Sequence, residues 1–539
     1  MKGDKKTVYL TILLIKQGYE HVGDVVRLDS CDPPIDVPIA GYGGGQLFIK
    51  KTSPTPPRWS LLFSDYLDIK LLSIPGVSAV FVLQVKGRRF ALTFGQGGRF
   101  LLRDDVWEDR FGLLCALNSV DRSTFRCVDV QSLDAIQSHS RIQSGQETTP
   151  DQFGLDVEQD MLKAIVGAPS NPALGSRMTG ADALTVAARV DLADLPPLLD
   201  EYRQKFEVDL SAKEYEWVNN ISLVKSTGLI AKLEERLNEK LSVKEFEHIW
   251  LAIPELIDWG TVVGFMYSHG KKVIYRDISL EGFLSTLGSE SPLTLEVLRA
   301  RRVDCADVNH NKTFKSWPVV KCLYAELDLD GDKYILNDGK WFCISASFVT
   351  KTDSQFAAIP VSKLKLPEYD DGGEGKYNAR VAALEPKRYA LLDDTKKVMH
   401  GGGHGQVEIC DLLSIDKELI HVKVYGKSSV FSHLFAQGFV SGQLIQIDRD
   451  FRKKVRAQLS PPFDELITEE ARPGEGEFTV VYAVISESKE EALTLPFFSR
   501  VNLNNTARVL RGLGYKVELL KIAVNEMYAK TKKLPPKKS

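Results

Sequence analysis

Two short apolar runs that close on opposite charges constrain this chain more than any other feature. The first, Gly405-Gln-Val-Glu-Ile-Cys-Asp411, ends in an acid, and twelve residues after Asp411 the second, Ile420-His-Val-Lys423, ends in a lysine. Side chains alternate along a strand, so on a strand through 407–412 Ile409 and Asp411 share one face while Glu408 and Cys410 share the other. On the next strand His421 and Lys423 share a face. A turn over 414–418 makes the two strands antiparallel neighbours and lets their polar ends meet. An acid there suits Mg2+, which prefers carboxylate, carbonyl and water oxygens. A lysine beside it orients an attacking water or offsets charge on a phosphate. The pattern points to phosphodiester cleavage, with a structural ion pair as the plain alternative.

At 539 residues the chain exceeds one core, and the usual domain size of roughly 100 to 200 residues implies about three or four. A hydrophobic share of 43%, a charged share of 26% and a net charge of -3 are those of an ordinary globular protein. They exclude a chain that is basic overall, so any nucleic-acid surface must be local. The seven cysteines include no Cys-x-x-Cys pair and mostly sit in apolar runs, which favours reduced, buried thiols and a cytoplasmic setting. The strand-like run 8–15 is too short for a signal peptide or membrane span, and no later run reaches that length, so no membrane partner is expected.

Along the chain the expectation is a multidomain mixed α/β protein. Residues 1–131 form an N-terminal α/β domain with a hairpin over 77–94. A polar linker covers 132–152, and a mostly helical domain covers 153–315, with helices over 157–166, 181–193, 197–206 and 228–257. Residues 316–369 connect it to the last domain and carry a hairpin over 334–344, whose Asn337-Asp338-Gly339 tolerates positive φ. Residues 370–525 form a C-terminal α/β domain, and 526–539 a basic, disordered tail.

The C-terminal part resembles the PD-(D/E)xK nuclease fold, and more closely its restriction-enzyme branch. That resemblance implies a restriction-endonuclease-like mixed sheet flanked by helices. It further implies Glu374 as the acid of the first helix, Asp411 as metal ligand, the Val422 carbonyl as a further ligand, Lys423 as catalytic lysine and Gln437 as the helix glutamine. His421 stands where that family carries a metal-ligating carboxylate. An imidazole prefers softer ions, so Mn2+ joins Mg2+ as the implied cofactor. The whole chain also resembles a sporadically distributed, uncharacterised bacterial family found near restriction and phage-defence genes. The residues behind this are Gly95-Gln-Gly-Gly-Arg-Phe100, Trp341-Phe342, Tyr377-Asn378, His421-Val-Lys423 and Ser432-His-Leu-Phe-Ala-Gln-Gly438. It implies an anti-phage setting, with nucleic acid, DNA first, as substrate and a partner subunit or phage component as second contact. A non-catalytic nucleic-acid sensor or scaffold is the rival, and oligomeric state stays open.

Other motifs carry less. Arg452, Lys453, Lys454 and Arg456 form a basic cluster that, lining the site, would hold backbone phosphates; it is equally a solvated face. His400-Gly-Gly-Gly-His404 excludes the helix that fixes a His-x-x-x-His zinc site, and no Gly-x-Ser-x-Gly elbow supports an esterase. A loop bringing amides and His404 to phosphate, or an ordinary turn, remains. Gly95-Gln-Gly-Gly98, flanked by Arg88, Arg89, Arg99 and Arg103, lacks the P-loop lysine that NTP hydrolysis needs.

Overall fold

The computed structural model describes the chain apart from residues 1–6, 51–59, 61–64, 67, 73–75, 96, 133–138, 156–159, 211–214, 256, 258, 260–261, 269–272, 288–291, 308–311, 393–397, 401–404, 426–427 and 534–539. It is a mixed α/β protein of two units, Met1–Gln131 with His139–Asn219, and Ser132–Ser138 with Asn220–Ser539.

The first unit is built on a ten-stranded sheet. Its central strand Thr7–Leu14 pairs antiparallel with Arg88–Phe94 on one side and Leu184–Arg189 on the other. Leu10, Ile12 and Leu14 enter one core beneath the helices Phe111–Leu117 and Leu195–Glu207, while Leu13 enters a second core on the opposite face. The hairpin expected over 77–94 is present as Ala79–Val85 and Arg88–Phe94, with Lys86 (φ 46°) and Gly87 (φ 79°) making the turn. Arg88, Arg89 and Arg103 do not wait on an anion: they donate to backbone carbonyls, Arg88 also to Glu108.

Three expectations fail here. Residues 153–315 are not mostly helical: 157–166 contains the strand Asp160–Gly167 and 181–193 the strand Leu184–Arg189, both in the ten-stranded sheet. Asp160–Gly167 is buried on both faces, with only every third residue partly exposed. That spacing imitates a helix, and periodicity cannot separate the two when neither face is polar. The polar stretch 132–152 is not a linker either, since His139–Thr148 is a ten-residue edge strand paired with Phe125–Ser132. An edge strand with one solvated face is polar for that reason. Of that stretch, 133–138 lie outside the described residues.

In the second unit the hairpin over 334–344 forms as expected, Asp332–Asn337 with Lys340–Ile344, Asp338 (φ 52°) and Gly339 (φ 72°) supplying the left-handed turn. It is more than a connection. With Ile221–Leu223, Leu323–Leu329 and Ile249–Leu251 it builds a five-stranded antiparallel sheet whose core includes Leu233, Leu237 and Leu241 of the helix Thr227–Ser242.

The C-terminal part is a second five-stranded sheet in the order Tyr389–Leu391, Leu412–Ser414, Glu418–Val424, Thr479–Ser486, Lys516–Ala523. The first three are antiparallel neighbours and the last two run parallel to Glu418–Val424. Parallel neighbours need a crossover. The helices Ser428–Ile447 and Phe497–Gly512 supply the two crossovers and share one core on one face of the sheet. The helix Glu374–Leu384 covers the opposite face through Tyr377 and Val381, against Ile420 and Val422. Residues 526–533, expected as part of a disordered tail, are helical (Glu526–Lys533). All seven cysteines are free thiols, six of them buried. Among the described residues no helix is long and apolar enough to cross a membrane.

Candidate functional site

The site lies where the two charged strands part. Asp411 does not end a strand as expected. It leads into Leu412–Ser414, and its amide still donates to Ile420 O at 3.0 Å, the last rung before the strands separate. Beyond that rung no strand among the described residues pairs with this edge of Glu418–Val424, and two carboxylates take its amides instead. Val422 N donates to Asp411 Oδ2 at 2.7 Å, and Val424 N donates to Glu374 Oε1 at 2.9 Å. In a strand the N–H and C=O of one residue point to the same side, so the Val422 carbonyl faces this edge as well.

The remaining carboxylate oxygens are held by side chains. Lys423 Nζ donates to Glu374 Oε2 at 2.6 Å, and Asn378 Nδ2 donates to Asp411 Oδ1 at 3.2 Å. Glu374 and Asn378 sit four residues apart on one helix and therefore on one face. Glu374 lies in the first turn, where the helix dipole favours an acid. Glu374, Asp411, Lys423 and the Val422 edge are thus brought together. Asn378, which sequence reasoning did not place here, completes them; its signal was the i, i+4 spacing from Glu374. Both members of the ion pair remain about a quarter exposed, at 24% for Lys423 and 29% for Glu374, whereas Asp411 and Asn378 are buried.

The other candidates go elsewhere. His421 shares the strand with Lys423 but its ring is buried in the core beneath Ser428–Ile447, 6.0 Å from the Tyr482 ring. Its Nε2 has no hydrogen-bond partner, and burial lowers its pKa to about 3, so it is a neutral core residue. Gln437 donates to Glu408 Oε2 at 3.0 Å and not to the carboxylates of the strand edge. At the next position Gly438 is required by packing, since a Cβ there would stand 2.6 Å from the Tyr482 hydroxyl. His404 lies outside the described residues. Among those described, no group of three or more His, Cys, Asp and Glu side chains is arranged to hold a metal.

Arg452 is corrected outright as a phosphate contact. It is 3% exposed and spends its guanidinium on the carbonyls of Ile445, Gln446 and Glu469. Its apolar neighbours Phe451 and Val455 turn it inward on the helix Arg449–Gln458, while Lys453, Lys454 and Arg456 stay exposed. Arg452→Ala is expected to cost about 2 to 4 kcal/mol of stability, because buried carbonyls lose a charged donor, and Lys453→Ala within about 0.5 kcal/mol of zero. Urea unfolding of the two variants distinguishes the roles; equal effects would refute the structural assignment.

Asp411 admits a sharper test. Asp411→Ala removes the carboxylate that accepts from the buried Val422 amide and from Asn378 Nδ2, an expected loss of about 2 to 4 kcal/mol. Asp411→Asn keeps one oxygen for the Val422 amide, and an amide rotation at Asn378 restores the second bond, so it should unfold within about 1 kcal/mol of the parent. A denaturant titration in which both variants fall alike would show that the hydrogen bonds are not what holds this edge.

No curated protein and no solved structure matches the chain. One family model, described as a family of unknown function (DUF6119), matches residues 10–523, and the chain belongs to that family.

Proposed function

We propose that the C-terminal domain is a divalent-metal-dependent nuclease of the PD-(D/E)xK kind, hydrolysing DNA or RNA in the cytoplasm. The observation that carries this reading is the 2.6 Å meeting of Lys423 Nζ and Glu374 Oε2 beside Asp411, where two strands part. The order of elements supports it: a helix bearing the acid, three antiparallel strands, a crossover helix and a parallel strand. The anti-phage setting rests on the sequence resemblance and is part of the proposal.

The donors fit a hard divalent cation. Asp411, Glu374 and the Val422 carbonyl offer oxygens only, and Mg2+ is commonly held by one or two carboxylates with substrate phosphate and water completing its shell. When bound there, such an ion would polarise the phosphate and lower the pKa of a bound water. The protein's own part is to let the Lys423–Glu374 pair open. Lys423 then sets its ammonium against a phosphate oxygen or the attacking water, and Asn378 keeps Asp411 fixed on the strand edge. Water attacks phosphorus and loses a proton to bulk solvent, its O–P bond forms as the bond to the leaving oxygen breaks, and configuration inverts.

One observation favours a second reading, in which the domain binds nucleic acid without cutting it. All four oxygens of Glu374 and Asp411 already hold donors, so the edge is closed as it stands. Purified protein incubated with plasmid, linear duplex, single-stranded DNA and RNA, in Mg2+, Mn2+ or EDTA, separates the two. Divalent-dependent products that vanish in Lys423→Ala support the nuclease; salt-sensitive binding with no product under any ion supports the sensor.

A further inference from the structure

A second polar cluster stands beside Lys423, and most of it comes from the antiparallel sheet upstream. Tyr425 follows Lys423 by two residues, one past the end of the strand, and its amide still donates to Ile485 O at 2.6 Å. Its hydroxyl donates to Glu247 Oε1 at 3.2 Å and lies 3.4 Å from His248 Nε2. His248 Nδ1 in turn lies 3.6 Å from Glu326 Oε2. Glu326 is a buried carboxylate, its side chain 3% exposed. It is held by the Tyr324 hydroxyl on Oε1 at 3.0 Å and the Phe497 amide on Oε2 at 2.9 Å. Phe497 opens a 16-residue helix, whose amide dipole favours the charge.

A buried acid is costly unless paired. His248 also holds φ at 60°, a left-handed backbone that is strained for non-glycine residues. The order hydroxyl, imidazole, buried carboxylate is that of a proton-handling relay, and such contacts are often long before substrate binds. Burial raises the Tyr425 phenol well above its ordinary value, with Glu247 adding to the effect, so it keeps its proton until a strong base develops beside it.

Resting on the nuclease reading above, we infer that Tyr425 is the proton donor to the leaving oxygen, and that His248 and Glu326 position and reprotonate it. As the phosphorus–oxygen bond breaks, its electron pair goes to the leaving oxygen, which takes the Tyr425 hydroxyl proton. The phenolate recovers a proton from solvent by way of His248, whose side chain is 27% exposed. Glu326 holds the imidazole in place. The nuclease-like domain is then incomplete without residues 247–326.

Tyr425→Phe removes one oxygen and keeps the ring against Phe431, 5.2 Å away, so the fold should survive. The expected result is a fall in kcat of about 100-fold or more with KM changed less than about threefold. His248→Asn, which tolerates the left-handed backbone, should lower kcat about tenfold or more with an unchanged melting temperature. An oligonucleotide with sulfur in place of the bridging leaving oxygen needs no proton donor, because a thiolate leaves unprotonated. Tyr425→Phe should cut it as fast as the parent protein does. Equal slowing on the oxygen and sulfur substrates, or no slowing on either, overturns the inference while leaving the Lys423 site intact. Failure of the unaltered protein to cut either substrate overturns this inference and the nuclease reading together.

Discussion

Lys423→Ala is expected to reduce divalent-dependent cleavage about a thousandfold while the domain stays folded. A single well-placed group that stabilises charge developing in the transition state is worth about 3 to 4 kcal/mol, which is two to three orders of magnitude in rate. The structural cost should be far smaller. The Lys423–Glu374 pair is partly exposed on both sides, and ion pairs of that kind contribute about 1 kcal/mol or less. Glu374 also keeps its bond from the Val424 amide when the lysine is gone. Lys423→Arg should restore little, because a planar guanidinium presents its donors in a different geometry from an ammonium. Plasmid cleavage with Mg2+ or Mn2+, compared with melting of the same samples, checks both halves. Unchanged cutting, or a large drop in melting temperature, would make Lys423 a structural residue.

Acidification should destabilise the C-terminal domain through His421, on the order of 4 kcal/mol between pH 6.5 and 3. The buried imidazole has its pKa lowered to about 3, whereas in the unfolded chain it titrates near the ordinary value of about 6.5. Above pH 6.5 neither state binds the proton and His421 adds no pH dependence. Between the two values the unfolded state binds a proton that the folded state refuses, so stability falls as pH falls, by about 1.4 kcal/mol per unit. His421→Leu removes the titrating group and its unpartnered Nε2, so it should flatten this loss by about 2 to 3 kcal/mol at pH 4.5. Urea unfolding of both proteins at pH 7 and pH 4.5 measures the difference. The same variant should cut nucleic acid within a few-fold of the parent, since the ring does not reach Glu374 or Asp411. An unchanged pH profile would contradict the buried neutral imidazole, and loss of cleavage would return His421 to the site.

Much of the C-terminal domain was legible in the chain. The turn near 414–418 and the strand Glu418–Val424, antiparallel to its upstream neighbour, were readable from alternation and turn residues, although that neighbour, expected over 407–412, lies at Leu412–Ser414. So was the convergence of Glu374 on Lys423, although it came through resemblance and not through periodicity. The first unit was less legible. Asp160–Gly167 carries apolar residues on both faces, and a strand buried on both sides loses the period of two that would identify it. His139–Thr148 reads as a linker because an edge strand can be polar over much of its length without ceasing to pair.

By itself the sequence determined the local elements and the chemistry available: two carboxylates, a lysine and an asparagine at spacings that put them on one helix face and two neighbouring strands. Only the tertiary structure decided which groups meet. Local periodicity sets the face a side chain leaves from, but what lies opposite depends on where distant elements pack. His421 and Lys423 leave one face of one strand, yet the first meets the core beneath Ser428–Ile447 and the second curls over the open edge to Glu374. Arg452 looked like its basic neighbours and was turned inward by Phe451 and Val455. Tyr425 was brought to His248 across 177 residues of chain, a contact that no local pattern encodes.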